Sequence, residues 1–69
     1  MKIYAITEKF ARARVYGGFS QRELARRAGL SHAYISLIER SLKSVSPGTA
    51  KQISEILDKP MDELFIIVS

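Results

Sequence analysis

Cysteine is absent from the 69 residues, and histidine occurs only once. Without cysteine the chain can form neither a disulfide bond nor a thiolate zinc site, and one histidine alone does not make a metal site. The sequence therefore predicts no metal and no cofactor, and it fits a reducing compartment. A chain this short has a small core, so its stability must come from good helix packing or from association with a second copy.

Long hydrophobic runs are also missing. The longest uninterrupted apolar run is Leu64–Val68, far shorter than the roughly 20 residues of a membrane span. The segment Met1–Ile6 carries one lysine and is not followed by the apolar core of a signal peptide. We expect a soluble, cytoplasmic protein that does not enter a membrane and forms a single domain over residues 1–69.

Motifs that carry catalysis are absent as well. Gly17-Gly18 lacks the lysine and the spacing of a phosphate-binding loop. His32 has no cysteine partner, and the serines near it stand where helix caps are expected. The acidic residues are scattered along the chain. These observations predict that the protein is not an enzyme.

Positive charge is concentrated in one part of the chain. Residues 9–43 hold eight lysines and arginines against two glutamates, whereas residues 44–69 hold two lysines against four acidic residues. A polyanion such as nucleic acid would therefore be drawn to one part of the surface. The alternative is a helical surface that is rich in lysine and arginine but binds nothing.

Capping signals and the spacing of apolar residues predict five helices. Thr7 is expected to be the N-cap of the first helix, and Gly17-Gly18 to end it. Proline stands at the expected start of the fourth and the fifth helix. The bounds expected for the first, fourth and fifth helices are about Thr7–Tyr16, Pro47–Leu57 and Met61–Phe65.

Two short helices lie between the first and the fourth. The segment Ser20–Glu23 has the spacing of a capping box, in which the serine hydroxyl accepts the Glu23 amide and the Glu23 side chain returns to the Ser20 amide. Gly29 ends the second helix, and Ser31 can cap a third helix over about His32–Glu39. So short a connection, with glycine in it, favours two helices that cross steeply, a helix-turn-helix over about residues 20–40.

The two ends of the chain are rich in strand-forming residues. These segments are Lys2–Ile6 and Phe65–Val68. Three interpretations stay open, namely frayed helix ends, a two-stranded ribbon, and a pairing surface for another subunit.

The segment Gln21–Ser31 (QRELARRAGLS), with Tyr34–Ser36 and Ile38–Arg40 after it, resembles the helix-turn-helix of the lambda-repressor and Cro-like family. The resemblance extends upstream to Arg14 and downstream through Asp62–Phe65, so that it covers about residues 8–65. Several matched segments in the right order form a strong signal. The resemblance implies a compact, all-α, five-helix domain whose ligand is operator DNA.

The same resemblance implies roles for particular residues. Gln21 would donate to a backbone phosphate, and the third helix would lie in the major groove. Arg14 and Glu39 would form a partly buried ion pair that joins the first helix to the third. Two positions depart from the family: Ser41 stands where glycine is usual, so the turn differs or the helix continues, and Leu37 stands where a long polar base reader is frequent.

In helix-turn-helix docking, side chains near the N-terminus of the second motif helix reach base edges. His32 can donate to guanine, and Ser36 can bond a base or a phosphate. Ala33 and Leu37 can touch a thymine methyl group. The alternatives are a solvated histidine, a Leu37 that packs against the domain, and a Ser36 that bonds its own helix backbone. The predicted base contacts are His32, Ala33, Ser36 and Leu37.

Contacts to the DNA backbone are expected on either side of this helix. Arg40 and Lys43 follow it, Ser31 and Tyr34 lie near its start, and some of the second helix's arginines face outward. The alternatives are a solvated loop, a simple helix cap, a tyrosine that packs on the surface, and exposed charge without a partner. The predicted backbone contacts are Gln21, Arg22, Ser31, Tyr34, Arg40 and Lys43.

The main functional hypothesis is a transcriptional repressor of the kind that phages and mobile elements encode. One small domain makes too few DNA contacts for strong specificity, so we expect a homodimer on a near-palindromic operator. The region of the fourth and fifth helices and the apolar tail Phe65–Val68 are the candidate dimer surfaces. The alternative is an antitoxin that also binds its own operator and holds a toxin with that tail.

Overall fold

The computed structural model describes all residues from Met1 to Ser69. It contains five helices, so the predicted five-helix architecture is confirmed, and the two ends of the chain form a short sheet. No helix combines the length and the apolar character that a bilayer crossing requires. In chain order the elements are β1 (Lys2–Ala5), α1 (Thr7–Tyr16), α2 (Gln21–Ala28), α3 (His32–Glu39), α4 (Pro47–Leu57), α5 (Met61–Leu64) and β2 (Phe65–Val68).

Serine side chains define where three of the helices begin. In α2, α3 and α4 the residue before the helix is a serine whose hydroxyl accepts the backbone N–H three residues later. Each bond satisfies an amide that has no partner inside the helix, and such a cap is worth about 1 kcal/mol. The three caps are Ser20 (3.0 Å), Ser31 (3.1 Å) and Ser46 (3.2 Å).

Two expectations about helix starts are wrong. Ile6, not Thr7, occupies the N-cap position of α1, and no side chain caps that helix. The Thr7 hydroxyl lies 3.0 Å from the Ser41 hydroxyl, so a contact with another part of the chain takes the place of the local one. The capping box is half formed, because the Glu23 carboxylate bonds Arg26 instead of returning to the Ser20 amide.

Two residues with positive φ end the helices of the motif. Gly29 closes α2 with φ 69°, as its lack of a side chain allows. Ser41 follows α3 and has φ 59°, a conformation that is costly for a residue with a side chain. Its hydroxyl donates to the Ala5 carbonyl, so a hydrogen bond to β1 offsets part of that cost. The helix therefore ends where the family's usual glycine would end it.

The terminal segments form a two-stranded antiparallel ribbon, one of the three interpretations left open. Its register pairs Ile3 with Ile67 and Ala5 with Phe65. On the other side of β1, the Val45 amide donates to the Ile3 carbonyl at 2.9 Å. The ribbon is therefore fastened to the loop between α3 and α4.

One hydrophobic core of 15 buried residues holds these elements together. Phe10 of α1 meets Phe65 of β2 edge to face, with ring centroids 5.8 Å apart. Ile35 and Ile38 fix the inner side of α3, and both are fully buried. Because core side chains hold one side of α3, its opposite side is presented outward.

Candidate nucleic-acid interface

The outer side of α3 forms an open surface. His32 and Ala33 are exposed, and Ser36 and Leu37 are half-buried. These four predicted base readers lie together with Gln21 and Arg40 around one shallow depression that opens to solvent. No part of the chain covers this side of the helix, so a double-stranded ligand has room to approach it.

The depression has almost no charge of its own. From Ser31 to Ile38 the chain contains no lysine, arginine, aspartate or glutamate. Arg40, at the C-terminal end of α3, donates from Nε to the Ser36 carbonyl at 3.3 Å, which holds its guanidinium beside the depression. Lys43 is exposed in the following loop. The positive charge near α3 therefore comes from residues that flank it.

The three outward arginines of α2 have different surroundings. Arg26 pairs with Glu23, and this contact holds the pKa of the Glu23 carboxyl below its usual value. The ionised carboxylate then cancels most of the charge of Arg26. Arg27 lies over the Phe19 ring, 5.2 Å from its centroid. Arg22 is exposed and has no acidic partner within 4.0 Å, so it is the α2 cation most available to a polyanion.

Glu39 connects three helices on the side of α3 that faces the protein interior. Its carboxylate accepts Nε of Arg14 at 2.7 Å and Nη2 of the same residue at 3.2 Å. Gln21 of α2 donates to the same carboxylate at 3.0 Å, and Arg14 also donates to the Phe19 carbonyl at 2.8 Å. The two charged side chains are only 14% and 10% exposed. This Arg14–Glu39–Gln21 cluster fixes the position of α3 relative to α1 and α2.

Three of the predicted backbone contacts already have partners within the protein. The Gln21 amide is bonded to Glu39, and the exposed Ser31 uses its hydroxyl to cap α3. The Tyr34 ring packs against the core, and its hydroxyl donates to the Ser44 carbonyl at 3.3 Å. Phosphate contacts by these three residues stay predictions.

Two features of this region were not predicted from the sequence. The bond between Gln21 and Glu39 joins residues 18 positions apart, and no spacing rule signals it. Leu42, which directly follows the positive-φ residue Ser41, is 62% exposed. The position of Leu42 in the loop, between the turn residue Ser41 and the charged Lys43, is the sequence signal that could have predicted its exposure.

The comparisons with known proteins agree with this geometry. The helix-turn-helix family model matches residues 10–64, most of the chain. The search of curated proteins found no match to this chain.

Several solved structures are similar to this chain. The restriction-modification controller protein C.AhdI from Aeromonas hydrophila has a TM-score of 0.74 and 28% identity, over 83% of this chain and 83% of its own. The hypothetical transcription factor NHTF from Neisseria gives 0.76 and 28%, over 83% of this chain and 64% of its own. SinR, a master regulator for biofilm formation solved in complex with DNA, gives 0.76 and 32%, over 84% and 97%.

The capped pair of short helices, the open side of α3 and the family match over residues 10–64 lead to one conclusion. The chain belongs to the lambda-repressor and Cro-like helix-turn-helix family of DNA-binding regulators.

Proposed function

We propose that this protein binds double-stranded DNA sequence-specifically and represses transcription by placing α3 in the major groove. The observation that carries the proposal is the open, uncharged outer side of α3 with unpaired cations beside it. A helix of this kind fits the major groove, where each base pair presents a distinct pattern of donors, acceptors and methyl groups. Bound repressor would then exclude other proteins from the operator.

The surface divides naturally into two kinds of contact. His32 and Ser36 supply hydrogen-bonding groups, and Ala33 and Leu37 supply apolar contacts for thymine methyl groups. Contacts to phosphates position the helix and carry most of the ionic attraction. We assign that second role to Arg22, Ser31, Arg40 and Lys43, and to Gln21 and Tyr34 where DNA replaces their bonds to Glu39 and Ser44.

The solved relatives support this proposal. SinR was solved in complex with DNA, and C.AhdI is a restriction-modification controller. By analogy we propose a homodimer on a near-palindromic operator, with half-sites about one helical turn apart. A regulator encoded by a phage or a mobile element, acting on DNA in the cytoplasm, fits this proposal.

Selection of bound sites from random duplex DNA tests the proposal directly. We expect one short sequence to be enriched, arranged as two inverted half-sites about 34 Å apart. Replacing one base pair within a half-site should weaken binding by about 1–3 kcal/mol. Recovery of unrelated duplexes, bound equally well, would overturn sequence-specific recognition.

Salt dependence separates the two kinds of contact. Arg40→Ala and Lys43→Ala should each flatten the slope of log affinity against log salt by about 0.9 per bound protomer, and so by about 1.8 for a dimer on both half-sites, because each removes one phosphate contact from each protomer. Glu23→Gln with Arg26→Gln is the matched control, since it removes an ion pair and leaves the net charge unchanged. His32→Ala should leave the slope unchanged and relax the preference at particular base pairs.

Titration of each variant against the selected site, at four or more salt concentrations, measures these slopes. An Arg40→Ala slope equal to that of the wild type would refute its phosphate contact. If Lys43→Ala keeps the wild-type slope but changes the base preference, Lys43 contacts a base and its assignment to a phosphate is wrong.

The exposed apolar side chains of β2 favour a second candidate function. Ile66 and Ile67 are more than half exposed, and Val68 is 46% exposed, a surface that could hold a partner protein. An antitoxin that binds its own operator would use the tail in this way. Co-purification with the product of an adjacent small reading frame, lost in a β2 variant but not in an α3 variant, would favour the antitoxin over a simple repressor.

A further inference from the structure

We infer that a second copy of this chain docks on the free edge of β2, so that two ribbons join into one four-stranded sheet across a two-fold axis. The inference deepens the proposed function, because it assigns a surface to the homodimer proposed above. It rests on the hydrogen-bonding pattern of the ribbon and on the side chains that β2 exposes.

Only one edge of the ribbon is open. The outer edge of β1 is covered, because the Val45 amide donates to the Ile3 carbonyl at 2.9 Å and the Ser41 hydroxyl donates to the Ala5 carbonyl. The outer edge of β2 has no such cover. An uncovered edge strand presents unpaired backbone groups to solvent, and another strand can pair with them.

The pattern within the ribbon shows which backbone groups point outward. The Ile6 amide donates to the Leu64 carbonyl at 2.8 Å, so this pair stands at a bonded position of the ribbon. In an antiparallel pair, bonded and non-bonded positions alternate. Ile3 and Ile67 therefore form a non-bonded pair, and both backbone groups of Ile67 point away from β1. These groups are the donor and the acceptor that a new strand would engage.

A second copy satisfies them symmetrically. When Ile67 of one protomer lies opposite Ile67 of its partner, the two residues exchange two N–H···O bonds on the two-fold axis. The same register places Ile66 opposite Val68 of the partner, and Val68 opposite Ile66. All three exposed apolar side chains of β2 then meet an apolar side chain across the axis.

The composition of β2 leaves this edge unprotected. Natural edge strands carry lysine, proline or a bulge that prevents pairing, whereas residues 65–69 (FIIVS) contain no charge and no proline. A self-complementary apolar strand fits a second copy better than an unrelated partner, because the same residues supply both sides of the contact.

The contact is small, since stable interfaces bury about 800 Å² per partner and one four-residue strand provides only part of that. We expect a weak dimer in solution that assembles fully on the two half-sites of an operator.

Introducing a charge at residue 67, which lies on the two-fold axis, tests this register. Ile67→Lys and Ile67→Glu each place like charges opposite one another, so each variant alone should be monomeric by sedimentation at concentrations where the wild type dimerises. An equimolar mixture should form a heterodimer, because only in this register does residue 67 face residue 67. Val15→Lys is the matched control: Val15 is 60% exposed on α1, and the same substitution there should leave dimerisation intact.

DNA binding separates the failure of this inference from the failure of the proposed function. Ile67→Lys should bind a duplex with one half-site as well as the wild type does. It should bind a duplex with two half-sites about tenfold or more weakly, because it loses the gain from joining two modules. If wild-type protein binds neither duplex specifically, the proposed function fails. If Ile67→Lys binds the double site as one cooperative dimer, or the mixture does not associate, the β2 pairing is wrong.

Discussion

The Arg14–Glu39–Gln21 cluster makes a sharp prediction about stability. Glu39→Gln keeps the size of the side chain and removes its charge. The Arg14 guanidinium, 14% exposed, then loses the carboxylate that accepts two of its N–H groups. Removing one partner of a buried ion pair leaves the other charge uncompensated and costs about 3–5 kcal/mol. Because both side chains keep some contact with water, we expect the lower end, about 3 kcal/mol.

This loss is large for so small a protein. At about 0.05–0.15 kcal/mol per residue, a chain of this length has a total stability of roughly 3–10 kcal/mol. A loss of about 3 kcal/mol should lower the melting temperature by about 12–24 °C. Thermal and urea unfolding followed by circular dichroism measure both quantities. At the lower end of this stability range, a measurable fraction of the Glu39→Gln protein should already be unfolded at about 25 °C.

A double variant distinguishes a buried ion pair from simple packing. Arg14→Met with Glu39→Leu removes both charges and replaces them with apolar groups, which is close to neutral in other proteins. We expect the double variant to be more stable than Glu39→Gln, and the coupling energy from the cycle to exceed about 1 kcal/mol. If the losses of stability in Arg14→Met and in Glu39→Leu simply add in the double variant, the reasoning is refuted.

Two serines give further predictions, both measured by urea unfolding. Ser54 is buried in α4 and its hydroxyl has no hydrogen-bond partner, so Ser54→Ala should stabilise the protein by about 1 kcal/mol; a loss of stability would show that the hydroxyl is satisfied. Ser41→Ala should cost about 1 kcal/mol, because it loses the bond to Ala5 and keeps the positive φ. Ser41→Gly should be more stable than Ser41→Ala by about 1 kcal/mol, since glycine accepts that conformation; equal stability of the two variants would contradict a strained turn.

Local signals in the sequence were enough to locate the helices. The three serine caps are bonds between residues three positions apart, so the same short segment that carries the signal also forms the structure. Apolar residues at helical spacing placed Ile35 and Ile38 inside, which leaves His32 and Ala33 outside. Which side of α3 faces outward follows from these local rules.

Contacts between distant residues could not be read in this way. Thr7 has the side chain of a helix cap, yet its hydroxyl bonds Ser41, 34 positions away. The terminal segments showed the composition of strands, but composition does not reveal a partner, and the pairing of Ile3 with Ile67 depends on the whole fold. The Gln21–Glu39 bond likewise exists only because α2 and α3 are packed together.

The pairing of Lys2 with Val68 has a consequence for the order of folding. Most helical contacts are local and form quickly, whereas the ribbon closes a loop that includes nearly the whole chain and must overcome a larger entropy loss. During refolding, α1 to α4 can assemble while β1 still lacks its neighbour. α3 can thus be in place before Ile67 pairs with Ile3, and the association of two copies through β2 has to wait for that slower pairing.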